Sequence, residues 1–160
     1  MDTSGLLVLA FDRESVKNLM MQFEERSVRK TYVALLEGVI EDESGDVDMP
    51  MRLDVDHRPR QIIDWEQGKR AITHWERIKV ITTPKERFTL VRFFPHTGRT
   101  HQLRVHASEG LKHPIVGDNL YGHQKEGERL MLHAASIVFR HPKTNEEMEF
   151  TSPCPFSLLH

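Results

Sequence analysis

Residues 6–11 read Leu-Leu-Val-Leu-Ala-Phe and follow directly on the turn-forming Thr3, Ser4 and Gly5. An unbroken apolar run leaves no polar face for water, so it predicts a buried strand with neighbours on both sides. Because the run starts so near the first residue, those neighbours must come from later strands or from an upstream segment. Asp12 is placed to cap a helix, and Val16, Leu19, Met20 and Phe23 follow at i, i+3, i+4 and i+7. That spacing predicts an amphipathic helix of about four turns reaching Arg26, with its apolar stripe in the core. Residues 30–38 then alternate as a strand should, with Tyr32, Ala34 and Leu36 on one face and Val33 and Leu35 on the other. Strand, helix, strand at this spacing predicts a crossover connection.

Residues 41–48 carry five acidic side chains with Ser44 and Gly45 and read as a solvated loop. Pro59, which has no N–H to donate, keeps residues 58–61 out of a central strand. Strands are predicted at 61–65 and 70–80, joined through residues 66–69 as a hairpin, and at 87–94 after a turn at 82–86. A short helix over 100–108, capped by Thr100 and ending near Gly110, precedes strands at 130–140 and 147–151. Strands outnumber helices and no repeat period is visible. The fold class is therefore α+β, a mixed and mostly antiparallel sheet with a few packed helices, in a single domain over residues 1–160.

A length of 160 residues with 38% hydrophobic and 29% charged content suits one globular domain with a real core. With no run of about 18 apolar residues and no secretory signal, the expected location is the cytoplasm. Cys154 stands alone between Pro153 and Pro155, which agrees with a reducing compartment. The net charge of −2 hides clustering of the cations. Arg26, Arg29 and Lys30 form one group, Arg52, Arg58 and Arg60 a second, Lys69 and Arg70 a third, and Arg92, Arg99 and Arg104 a fourth. Local patches of this kind steer polyanions more than net charge does.

The densest chemistry lies in residues 95–106, PHTGRTHQLRVH. Gly98 and Arg99 lead into a predicted helix N-terminus, where free N–H groups and a guanidinium suit a phosphate or carboxylate. Leu103, Ala107 and Leu111 share a helix face with Arg104 at its edge, so Arg104 is half buried and calls for an anionic partner. Three readings compete: a solvated basic helix end, a metal site at His96, His101 and His106, and RNA binding coupled to catalysis. The metal reading fails on spacing, because residues five apart on a helix stand about 140° apart around its axis.

TSGLLVLA, KTYVALLEG, TGRTHQLRVH, HPIVGDNLYG and RLMLHAASI occur in this order along nearly the whole chain. Together they resemble the RluA family of RNA pseudouridine synthases, and DVDHRPRQ in a short form without an inserted domain is similar to the RluA subgroup. The resemblance implies the pseudouridine synthase fold with its N-terminal strands missing. It also implies isomerisation of uridine to pseudouridine in structured RNA, either tRNA or large-subunit rRNA, by base flipping and with no cofactor or metal.

The family's essential aspartate lies in H-R-L-D-x-x-T-S-G, and here Thr3, Ser4 and Gly5 match the end of that pattern, with Met1 and Asp2 in the two x positions. The resemblance thus puts the nucleophilic aspartate immediately before Met1, and the chain as given is expected to be inactive. Asp2 lies two residues too late to replace it, and Arg52-Leu53-Asp54, followed by Val55 rather than by x-x-T-S-G, is read as a coincidence in a loop.

Three catalytic-pocket residues are carried over. Tyr32 matches the aromatic that lies against the flipped base, Arg104 the arginine that pairs with the aspartate, and Leu132, chosen over Leu130, the apolar residue that closes the pocket. Arg58, Arg60, Arg99, His101 and Gln102 are candidates for shaping the loop or contacting RNA, and Asp118 with Tyr121 for ordering the GDNLYG turn. The rival reading is a non-catalytic RNA-binding remnant of the same fold. An uncovered apolar face over residues 6–11 would promote self-association.

Overall fold

The structure is a computed structural model that describes residues 2–156. Its elements run β1 (Ser4–Gly5), α1 (Arg13–Glu24), β2 (Arg29–Glu37), β3 (Ser44–Asp48), β4 (Met51–Leu53), β5 (Gln61–Ile63), β6 (Ile72–Thr82), β7 (Arg87–Pro95) and α2 (Gln102–Val105). A π-helical turn over His106–Gly110, then β8 (Leu132–Arg140) and β9 (Glu147–Thr151), complete the order.

β2 is apolar on both faces and accordingly lies inside the sheet, antiparallel to β7 on one side and to β8 on the other. The main sheet is ordered β1-β8-β2-β7-β6-β3, with β9 also pairing β8. Among the described residues only the β1–β8 pair is parallel, so the sheet is mixed and mostly antiparallel, as predicted. The alternation read along β2 separates two cores. Ala34 and Leu36 pack with Trp75, Val91, Phe93, Leu103, Ala107, Ile115, Leu130 and Leu132 on one face. Val33 and Leu35 pack with Leu90, Val116 and Phe156 on the other. The functional cavity opens on the first face.

Residues 6–11 do not form a buried strand: pairing ends after the Leu6 N–H reaches the Ala134 carbonyl at 3.1 Å, and Leu7, Leu9 and Phe11 are 67, 68 and 96% exposed. Asp12 does cap α1, accepting from the Ser15 N–H at 2.9 Å, but the helix stops at Glu24 and Arg26 turns out of it at φ 58°. Of the apolar stripe only Leu19 is buried; Val16, Met20 and Phe23 are exposed, and all four line a crevice of about 610 Å³ beside the sheet edge. The crossover expectation also fails. β1 is parallel to β8 while β8 is antiparallel to β2, so α1 joins two strands of opposite direction with β8 between them.

The acidic stretch 41–48 contains β3, which pairs with β6. Val47 points into the core while Asp46 and Asp48 point out, the pattern of a charged edge strand that discourages further pairing. Residues 61–65 and 70–80 form no hairpin. β5 pairs with β4 in a separate two-stranded sheet, and the Asp64 carboxylate reverses the chain by accepting from the Glu66 and Gln67 N–H groups, each at 2.9 Å. Residues 87–95, 132–140 and 147–151 are strands close to their predicted limits.

Candidate active site

The loop between β7 and α2 forms one wall of the cavity, and its conformation differs from the capped helix predicted. Thr100 does not cap; His101 occupies the N-cap position at φ 55°, in the left-handed region. No side chain caps the helix; Gln102 instead ties down the loop before it, its Oε1 accepting from the Thr97 hydroxyl at 2.6 Å and the Arg99 N–H at 3.0 Å. Its Nε2 donates to the Ile72 carbonyl and to Thr73 Oγ1, both at 3.0 Å. With its amide fully engaged and only 4% exposed, Gln102 shapes the loop and has no free group to offer RNA.

Further along, Leu103, Ala107 and Leu111 keep their shared apolar face although the last turn is π-helical. The three histidines diverge. His106 is fully buried between Thr73 Oγ1 at 2.9 Å and the Met49 carbonyl at 3.1 Å, His101 faces the cavity, and His96 is exposed beyond Pro95. No metal-holding group of His, Cys, Asp or Glu occurs among the described residues.

Arg104 is the best-held charge in the wall. Its Nε donates to Asp118 Oδ2 at 2.9 Å, and its Nη2 to Asp118 Oδ1 at 2.6 Å and Asn119 Oδ1 at 3.0 Å. The Asp118 side chain is wholly buried and that of Arg104 only 11% exposed. Burial alone would push the carboxyl of Asp118 up; the Arg104 guanidinium and the Leu120 and Tyr121 N–H groups outweigh it and hold the carboxyl below its ordinary value. Burial likewise opposes the charge on Arg104, and Asp118 outweighs it there too. The sequence marked Asp118 as the organiser of the 117–122 turn, which it is, accepting at 2.9 and 3.0 Å from the N–H groups of Leu120 and Tyr121. Its second role, anchoring Arg104, was missed; the signal was that a half-buried guanidinium needs a carboxylate.

Tyr121 links this anchor to the loop. Its ring lies under both guanidinium groups, 5.3 Å from Arg104 and 5.4 Å from Arg60. Its hydroxyl accepts from the Gln61 N–H at 2.8 Å and sits 2.7 Å from His101 Nδ1. Burial, then the nearby Arg104, lowers the His101 pKa, so the ring is neutral near pH 7 and Nδ1 accepts the tyrosine proton.

These elements enclose a cavity of about 740 Å³. It brings together Tyr32, Arg104 and Leu132, the three residues carried over as catalytic, with Leu130 beside Leu132 and with Arg99, His101 and Pro59 at the rim. Arg58 and Arg60 are exposed outside the lining. Arg52, from the coincidental R-L-D triplet, pairs with Asp64 away from the cavity. Lys30 and Phe23 also line the cavity and were not anticipated; Lys30 stands two residues before Tyr32 on β2, so strand periodicity would have found it.

Among the described residues the cavity lining contains one carboxylate, Asp2, against Lys30, Arg99 and Arg104. Three polar groups in it, the Tyr32 hydroxyl, Lys30 Nζ and Arg104 Nη1, make no hydrogen bond among the described residues, and none of them is sealed from solvent. Burial raises the Tyr32 pKa, so the phenol keeps its proton at neutral pH. Apolar walls with a few unengaged donors suit a flat, polar heterocycle.

The model of the RNA pseudouridylate synthase family matches residues 1–109. The chain is 41% identical over 159 residues to the dual-specificity RNA pseudouridine synthase RluA of Pasteurella multocida, covering 98% of this chain and 71% of that protein. This chain belongs to the RNA pseudouridylate synthase family. Its relatives in the family include the RluA of Vibrio cholerae, 40% identical across 98% of this chain and 63% of that protein. Among solved structures, the human RNA pseudouridylate synthase domain containing 1 superposes with a TM-score of 0.78 at 32% identity, over 92% of this chain and 63% of that one. The human domain containing 4 gives 0.73 at 26% identity. The α+β architecture is thus that of pseudouridylate synthase domains.

Proposed function

We propose that the cavity around Tyr32, Arg104 and Leu132 receives a uracil flipped out of structured RNA, in tRNA or large-subunit rRNA, for isomerisation to pseudouridine in the cytoplasm. In that reaction the N1–C1′ bond breaks, the uracil turns within the pocket, and a C5–C1′ bond forms. The proton at C5 is lost to a base and N1 gains one, so no atom is added and no oxidant, metal or cofactor is called for. Tyr32 and Leu132 bracket the ring, and Arg104, fixed by Asp118, offers Nη1 to the anionic side of the reaction. The supporting observation is the convergence of these three residues, brought from β2, α2 and β8, on one cationic, apolar-walled cavity.

The carboxylate that family resemblance places immediately before Met1 acts on the ribose, and Arg104 would keep it ionised. None of the 160 residues fills that position. We therefore expect the chain alone to bind RNA without turnover, and the chain preceded by His-Arg-Leu-Asp to isomerise uridine. The test is tritium release from RNA labelled at uridine C5. Release only by the extended chain supports the proposal; release by the 160-residue chain refutes the assigned role of the upstream aspartate. Release by neither favours the non-catalytic RNA-binding reading.

A further inference from the structure

Lys30, like Arg99, is a cavity cation that the reaction as proposed leaves unused. Its side chain lies across the Phe23 ring, with Nζ 5.8 Å from the centroid, and a Cβ on Gly98 would sit only 3.4 Å from that nitrogen. Among the described residues it makes no ion pair within 4.0 Å. Its surroundings are tight enough for burial to depress its pKa. A half-enclosed ammonium without a counter-charge is unfavourable in the free protein and is relieved when an anion arrives.

The surroundings of Lys30 indicate which anion. It stands where the base cavity opens into a second groove of about 460 Å³, between the end of α1 and residues 96–99. Arg26, His96 and Arg99 line this groove with Lys30, against the one carboxylate among the described residues there, Glu24. Arg26 reaches it because the chain leaves α1 through the left-handed turn at φ 58°. A row of cations along an open groove that continues from the base pocket matches a phosphodiester backbone better than it matches one carboxylate.

We propose that Lys30, Arg26 and Arg99 form a phosphate-binding groove that carries the RNA strand adjoining the flipped nucleotide, with Lys30 at the junction between base and backbone. The inference rests on the RNA-substrate reading above and adds the path of the strand.

The experiment is fluorescence anisotropy of an end-labelled RNA stem-loop with one unpaired loop uridine, titrated with the 160-residue chain at several salt concentrations. Lys30→Met, which keeps the stem against Phe23, is expected to weaken binding and reduce the slope of log K against log salt by about 0.7. Adding Arg26→Gln should lower it by about as much again, equally for loops with and without the uridine. The control Lys85→Ala, in the β6–β7 turn, should leave the slope unchanged. Thermal melting accompanies each variant, and removing an unpaired charge should leave Tm the same or higher. Unchanged slopes in Lys30→Met and in Arg26→Gln alone overturn the groove while leaving RNA binding intact. Arg26→Gln, on an exposed residue, gives that reading even if Lys30→Met fails to fold. Absence of binding by the unsubstituted chain overturns the RNA reading and the groove with it.

Discussion

Arg104 holds its orientation in the cavity wall through Asp118, a two-pronged pair at 2.6 and 2.9 Å with the carboxylate fully buried. Breaking one side of such a pair leaves the other charge buried alone. Asp118→Asn should therefore cost about 3 kcal/mol in urea unfolding and free the 117–122 turn. Arg104→Lys keeps the charge but gives up the fork, and should weaken RNA binding while costing less stability than Asp118→Asn. At this scale the sequence was informative where a residue's chemistry is local. Asp12 was legible as a cap because a short acceptor before an apolar period has few other uses. Gln102 was not: its amide bridges Thr97, Arg99, Ile72 and Thr73, and two of those partners lie on another strand. Nor was the pairing of Arg104 with Asp118 legible, since it spans a turn whose shape no spacing rule fixes.

Among elements, β2 was read correctly because burial on both faces writes its position into the residues themselves. β3 was misread because its charges sit on the outward face of an edge, where composition resembles a loop and pairing to β6 decides the structure. The β4–β5 pair was missed because Asp64 makes the turn after β5, so the Gly68 region looked like a hairpin between strands that belong to different sheets. The turn leading to Asp118 depends on Gly117, which has φ +78°; a Cβ there would lie 1.9 Å from the Arg129 carbonyl oxygen. Gly117→Ala should destabilise by about 2 kcal/mol or more, read as a lower urea midpoint with unchanged m. The outward row of Leu7, Leu9 and Phe11 is an apolar edge next to the half-exposed α1. Concentration-dependent self-association is expected in sedimentation velocity, and Leu9→Lys with Phe11→Lys should reduce it; a monomer at all concentrations would contradict this.

For the whole molecule, buried and hydrogen-bonded titratable groups predict how stability depends on pH. Burial lowers the pKa of His106 in the folded state, so unfolding takes up a proton as pH falls below the ordinary histidine value of 6.5, and stability declines. A second decline should follow below the ordinary carboxylate value of 3.8. There Asp118 and Asp64 are held down in the fold, Asp64 to about 2 by the Gln67 N–H, Arg52 and the Glu66 N–H. Stability should therefore be highest above pH 6.5 and fall in two stages on acidification. His106→Gln should shrink the upper stage to the part left by His101, whose pKa burial and Arg104 also lower, as followed by Tm against pH.

The cavity of Tyr32, Arg104 and Leu132 is proposed to hold a uracil drawn out of RNA. The most direct measurement is a crystal structure of the chain bound to a stem-loop RNA with one unpaired uridine. The uracil should lie between Tyr32 and Leu132 within reach of Arg104 Nη1, with the adjoining phosphates beside Lys30 and Arg99. An RNA bound elsewhere, with its loop uridine stacked in the RNA and the cavity empty, would contradict the claim.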